Sequence, residues 1–310
     1  MRIHAKSVSV LRLFGIAVLM LLAQTWSPPA AAASRFIAVP GVTTFETSFV
    51  ANGRARRVLY VRPVATPVGL APAIVVLHYA GGDPEQMANL VEIGQLVRDI
   101  GVWAILPDAQ GRSWAYDTVK DRNGPDDVGL ITRIIDDASS SYPIDARRIY
   151  MMGFSSGGFM TQRYICERPE RIAAAAYVAA TLLDSLRKVC NTSQPTPVLG
   201  IHGTRDNKVS YTAARGAASA PATALFFAGI NRCLTAPVRS KLPDIANDGT
   251  TVQLDSYDSC ASQLPVRFYT VNEGGHTWPG NHYQIGLIGR TSQDINATRV
   301  IWDFVRDYAR

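Results

Sequence analysis

Short unbroken apolar runs alternate along this chain with stretches whose apolar residues recur every three or four positions. Runs of the first kind are "APAIVVLHYAGG" at 71–82, "VWAILPDAQG" at 102–111, "RRIYMMGF" at 147–154, "AAAAYVAAT" at 173–181 and "TPVLGIHGTRD" at 196–206. They lack the polar alternation of a half-buried strand, which predicts strands covered on both faces. Between them "PEQMANLVEIGQLVRDIG", closed by Gly101, "DDVGLITRIIDDASSSYP" and "GGFMTQRYICERPERI" carry helical spacing. Alternating strands and helices predict an α/β fold: a mostly parallel sheet with helices on both faces. Ahead of this region "TTFETSFV" and "RARRVLYVRP" flank "ANG", a hairpin signal. Residues 211–263 are less regular, with a helix about "ATALFFAGINRC", a polar stretch through "DIANDGT" and a short strand "TVQLDSY". "VRFYTVNEGG" predicts the last strand. "TSQDINATRVIWDFVRDYAR" predicts a closing helix with Ile295, Val300, Ile301, Phe304 and Val305 on or near one face.

The N-terminus departs from this pattern. Arg2, Lys6 and Arg12 precede "LFGIAVLMLLA" and a run of small residues ending "PAAAAS", the layout of a secretory signal peptide over residues 1–33 with cleavage after Ala33. Its dozen or so apolar residues fall short of the roughly 20 that a spanning helix needs. Residues 34–310 are then expected to form a single domain, secreted to the periplasm or the medium, with no membrane partner after cleavage. The leader takes three positive charges with it, so the formal net charge of +6 falls to about +3, and no nucleic-acid partner is implied. The four cysteines, Cys166, Cys190, Cys233 and Cys260, all follow the leader, and an even count in an exported chain predicts two disulfides. Cys166 with Cys190 and Cys233 with Cys260 is the expected pairing, because each bond closes a short local loop. No CxxC pair exists and the histidines do not cluster with cysteines, so neither a metal site nor a cofactor is expected.

Chemistry concentrates where "RRIYMMGF" runs into "SSGG". Gly153-Phe154-Ser155-Ser156-Gly157 fits G-x-S-x-G at a strand-to-helix turn, where the serine sits on a strained backbone and the residues two before and two after must be small. Ser155 meets that condition; Ser156 has Phe154 two places before it. The amide of Ser156 is instead placed to hold an oxyanion. A serine hydroxyl needs a base, itself oriented by an acid, and after such an elbow the chain order is Ser, then Asp or Glu, then His. His276, in "NEGGHTWPG" after the last predicted strand, is the expected base, with His282 the alternative. Asp206, just past a strand end, is the expected acid, with Asp255 and Asp258 behind it. His202 cannot follow Asp206 and reads as a histidine packed or hydrogen-bonded at a strand end. The second oxyanion amide should come from "LHYAGGD", where Ala80 is the donor by position, Tyr79 the alternative, and His78 orders the loop.

"GFSSGGFMTQRYICERPERIAAAAYVAA", "IHGTRDNKVSY", "GGHTWPG" and "ATRVIWDF" together resemble the secreted polyhydroxybutyrate depolymerase-like esterases, a group of α/β-hydrolases that includes feruloyl and acetyl xylan esterases. The resemblance spans about Pro72 to Phe304. It implies the α/β-hydrolase fold with Ser155 as nucleophile, Asp206 as acid and His276 as base. It places "SWAY" (Ser113 to Tyr116) and "PDDVGLI" near the site, with Trp114 and Trp278 as substrate walls. The family usually has His-Gly where this chain has His78-Tyr79, so the oxyanion loop differs there. The implied activity is serine carboxylic-ester hydrolysis of hydroxyalkanoate oligomers, or alternatively of feruloyl and acetyl esters of plant polysaccharide; the partner is then a small or oligomeric ester. A non-catalytic exported binding protein of the same fold is the reading of another class.

Overall fold

A computed structural model describes Met1 and residues 35–310 apart from 66–67, 191–192, 235, 262 and 283–287; the leader lies outside the described residues. Two strands, β1 (Val42–Ala51) and β2 (Arg54–Pro63), form the expected hairpin, Asn52 and Gly53 both taking positive φ in the turn. Then follow β3 (Ala71–Leu77), α1 (Pro84–Leu90), α2 (Ile93–Ile100), β4 (Trp103–Pro107), α3 (Asp127–Ser141), β5 (Ile144–Phe154) and α4 (Ser156–Glu167). The chain continues through β6 (Ala174–Val178), α5 (Asp184–Arg187), β7 (Val198–Gly203), α6 (Ala220–Ile230), β8 (Val238–Lys241), β9 (Thr251–Tyr257), β10 (Val266–Asn272) and α7 (Ala297–Val305).

These strands make one sheet in the order β1-β2-β4-β3-β5-β6-β7-β10-β9-β8. Its centre, β4 to β10, is parallel, and the two strands at each edge are antiparallel. Alternate residues of the buried strands feed two cores. Ile149 and Met151 of β5 face the core that α3, α4 and α6 cover, while Tyr150, Met152 and Phe154 face the core under α1, α2 and α7. The chain winds from β3 out to β4 and then back across to β5, so winding reverses between β3 and β5. The loops leaving the carboxyl ends of those two strands flank a crevice, the usual place for a ligand in an open α/β sheet.

One expected helix is two. Glu92 takes a left-handed φ of 50° between α1 and α2. Tertiary donors occupy the carbonyls that would carry the helix onward: the Asn281 amide reaches Leu90 and the Thr298 hydroxyl reaches Val91. α7 is also shorter than its amphipathic pattern, beginning only at Ala297, with Asn296 capping its first turn. The pairing Cys166–Cys190 and Cys233–Cys260 is present as expected.

Candidate active site

At the end of β5 the backbone must turn straight into α4, and Ser155 pivots the turn with φ 54° and ψ −117°. A side chain at Gly153 would place its Cβ 2.1 Å from the Gly157 carbonyl oxygen, and one at Gly157 would come 2.1 Å from that of Leu77. Only glycine fits at either place. A non-glycine residue in this backbone region costs on the order of 1–3 kcal/mol and persists only where its surroundings enforce it. Here the sheet does so: the Ser155 N–H is held by the Val178 carbonyl of the neighbouring strand at 2.9 Å.

Three loops meet over this pivot. His276, carried past the end of β10, is fixed by its own N–H to the Ile288 carbonyl and by the Phe154 ring 5.0 Å away. Its Nε2 lies 3.0 Å from Ser155 Oγ, and its Nδ1 lies 2.7 Å from Asp206 Oδ2. A carboxylate can only accept, so Nδ1 carries the proton and Nε2 presents its lone pair to the serine. This is the arrangement that turns a hydroxyl into a nucleophile. His282 stands apart, largely exposed and 3.8 Å from Glu92. Asp255 is spent on Arg239, and Asp258 lies 3.6 Å from Arg267.

Asp206, in the loop after β7, is a fully engaged buried carboxylate. Its Oδ1 accepts the amides of Lys208 and Val209 at 2.8 Å each, while Oδ2 faces His276 and, at 3.3 Å, His202 Nε2. Burial by itself would raise its pKa, but the hydrogen bonds from His202, His276 and Val209 outweigh burial and hold the carboxyl well below the usual carboxylate range. His202 is the hydrogen-bonded histidine at a strand end that the sequence suggests, and its partners are in the acid loop. Its Nε2 faces two acceptors, Asp206 and the Val209 carbonyl at 2.9 Å, so Nε2 carries its proton and the ring clamps the acid loop.

Across the crevice, His78 accepts the Ala109 amide at Nε2, so its Nδ1–H donates to the Tyr79 carbonyl at 2.8 Å. The same carbonyl takes the Gly82 amide, and the His78 carbonyl takes the Trp114 indole N–H at 2.9 Å. Both peptides of the loop are thus pinned by their oxygens. The N–H of Ala80, across its planar peptide from the Tyr79 oxygen, points the other way. The backbone amides of Ala80 and Ser156 have no acceptor among the described residues. Ser156 Oγ in turn accepts the Trp114 backbone N–H at 3.2 Å, linking the elbow to the "SWAY" segment. Asp127, at the start of α3, holds that segment too, through the Ala115 amide.

The expectation that Trp114 and Trp278 line the substrate site is corrected. Each is 2% exposed. The Trp114 indole is turned inward to brace the loop that starts at His78, and Trp278 packs on Phe154 and donates to Thr298 Oγ1, anchoring the histidine loop to α7. The cavity above Ser155, about 400 Å³, is instead lined by Tyr79, Ala80, Leu90, Phe154, Lys208, His276 and Ile288. Phe154 could have been found in sequence as the x of the elbow motif; Leu90 and Ile288 reach the site only through the fold. A second, open cavity of about 530 Å³, lined by Asp244, Asn247, Glu273 and neighbours, contains none of the three catalytic candidates. Among the described residues no group of His, Cys, Asp and Glu side chains has the layout of a metal site, and no helix is long and apolar enough to cross a membrane.

Residues 116–232 match the profile of the phospholipase/carboxylesterase family. The chain is 28% identical to NocK of Nocardia uniformis subsp. tsuyamanensis, a protein named as an esterase, over 90% of this chain and 89% of that one. It is 26% identical to feruloyl esterase B of Piromyces equi over 77% of this chain, spanning 42% of that protein's length. Among solved structures, an acetyl xylan esterase from Aspergillus awamori superposes with a TM-score of 0.59 at 16% identity, covering 76% of this chain and 94% of that one. In fold this chain is an α/β-hydrolase, and the sequence relatives it resembles over most of its length are named as esterases.

Proposed function

We propose that this protein is a serine carboxylic-ester hydrolase that works through an acyl-enzyme. The observation that carries the reading is the unbroken line from Ser155 Oγ through His276 to Asp206, at 3.0 and 2.7 Å, beside amides at Ala80 and Ser156 that have no acceptor among the described residues. In this reading His276 Nε2 takes the Ser155 proton as Oγ bonds to the ester carbon. The Ala80 and Ser156 N–H groups hold the oxyanion, and His276 returns the proton to the departing alcohol. Water then repeats the sequence, releasing the acid and restoring Ser155.

Hydroxyalkanoate oligomers are the proposed substrates, on the strength of the motif resemblance. A second reading, esters of plant polysaccharide, is supported by the names of the feruloyl and acetyl xylan esterases that the chain resembles. The two disulfides and the apolar leader support one exported catalytic domain over residues 34–310. Labelling by a fluorophosphonate probe, together with hydrolysis of p-nitrophenyl butyrate, tests the core of the proposal. Both should be present in the native protein and absent in Ser155→Ala. An unlabelled, inactive native protein would leave the non-catalytic binding protein as the better reading.

A further inference from the structure

The cavity over Ser155 is almost entirely uncharged: Tyr79, Ala80, Leu90, Phe154 and Ile288 supply its walls, and Lys208 is the one permanently charged side chain among the described residues lining it. Lys208 is exposed and makes no ion pair with any described residue. The segment 283–287, outside the described residues, reads Tyr-Gln-Ile-Gly-Leu and offers no acid. The carboxylate two residues before Lys208 is already engaged, Asp206 being held by two histidines and two amides. The root of the lysine is also fixed. Its backbone N–H donates to Asp206 Oδ1, and the next residue is held at both its amide and its carbonyl, by Asp206 and His202.

Which end of an ester would meet this ammonium follows from the proton's path. His276 must hand its proton to the leaving oxygen, so the alcohol lies on the side of the histidine and its acid loop. Lys208 stands two residues along that loop from Asp206. We infer that Lys208 is a specificity-determining residue that recognises a carboxylate on the leaving alcohol, so the preferred substrates are esters of hydroxy acids whose own carboxyl is free. This inference rests on the serine-esterase reading. It separates the two substrate classes: an oligomer of hydroxy acids presents a carboxylate on its departing end, whereas methyl ferulate and acetylated sugars release a neutral alcohol.

An exposed ion pair of this kind is modest and screened by salt, so the preference should be about threefold to fivefold in kcat/KM and should shrink as ionic strength rises. The test compares 3-(butyryloxy)butanoate with 3-(butyryloxy)butanamide, neutral and nearly the same shape, in the native protein, Lys208→Met and Lys208→Glu, following release of butyrate. The acid-to-amide ratio should be about three to five in the native protein, near one in Lys208→Met and below one in Lys208→Glu, and 0.5 M NaCl should pull the native ratio toward one. A ratio that is the same in all three proteins overturns the inference while leaving the esterase reading intact. Failure of the native protein to cleave even p-nitrophenyl butyrate overturns both.

Discussion

Two serines stand side by side at the elbow, and the structure separates them by what each does with its oxygen. Ser155 Oγ faces His276, whereas Ser156 Oγ is buried and bonded to the Trp114 amide. Ser155→Ala should therefore abolish p-nitrophenyl butyrate hydrolysis, and Ser156→Ala, which loses two neutral hydrogen bonds, to the Trp114 amide and the Ser113 hydroxyl, worth about 1 kcal/mol each, should keep a substantial share of it. Equal losses would contradict the assignment. Asp206 makes a sharper case. Replacing it with Asn leaves the shape but offers His276 a donor in place of an acceptor, which in known triads costs about 10⁴ in kcat. Because its pKa is lowered in the folded chain, Asp206 contributes stability that is present above the ordinary carboxylate pKa of about 4 and is lost as pH falls below it. The melting-temperature gap between native protein and Asp206→Asn should accordingly be constant from pH 7 to 5 and narrow toward pH 3; a gap that widens on acidification would contradict the sign. That Ser155, His276 and Asp206 come together was legible from residue order and glycine spacing alone. The second histidine on the acid was not, because one sequence does not reveal that His202, four places before Asp206, turns back toward it rather than into the core.

Elements explain why the tryptophans misled. Both sit in loops, where aromatic side chains often meet substrate, yet each is buried and spends its indole N–H on the scaffold: Trp114 on the His78 carbonyl, Trp278 on Thr298, whose own hydroxyl donates to Val91 at the break between α1 and α2. Trp114→Phe keeps an aromatic ring beside His78 but removes the indole N–H that holds the His78 carbonyl at the start of its loop, along with the volume of the second ring. Its expected effect is a fall in kcat of about tenfold with little change in KM, since the loop's amides act on the transition state rather than on the bound ester. A raised KM with unchanged kcat would instead return Trp114 to the role of a substrate wall. The parallel centre of the sheet was readable because each strand is an unbroken apolar run buried on both faces. The edges were harder: β8, "VRSK", is exposed along its whole length and carries no apolar pattern to mark it. The split at Glu92 was invisible for another reason, since both helices keep one spacing and the interruption comes from Asn281 and Thr298, far along the chain.

Over the whole molecule the two disulfides differ in one half-cystine: Cys190, Cys233 and Cys260 are all partly exposed, and Cys166 alone is buried. Cys166 lies on α4, the helix that starts at the elbow, with 1% of its surface exposed, and its bond ties that helix to Cys190, beyond α5. Cys233 and Cys260 are both partly exposed and join the chain just past α6 to the turn after β9. With separations of 24 and 27 residues, loop-closure entropy assigns each bond about 3 kcal/mol in a strain-free chain. For a domain of this size that corresponds to a loss of about 6–12 °C in Tm for each bond removed. Access to the attacking thiolate also controls the rate of reduction. Under limiting reductant at neutral pH, Cys233–Cys260 should open first, with a drop in Tm but little loss of esterase activity, because none of the catalytic candidates lies on the segments it joins. Opening of Cys166–Cys190 should follow more slowly and lower both Tm and activity, since α4 carries the Ser156 amide. Timed alkylation with peptide mapping, read beside Tm and p-nitrophenyl butyrate turnover, checks the order; loss of activity in step with alkylation of Cys233 and Cys260 while Cys166 stays protected would contradict it.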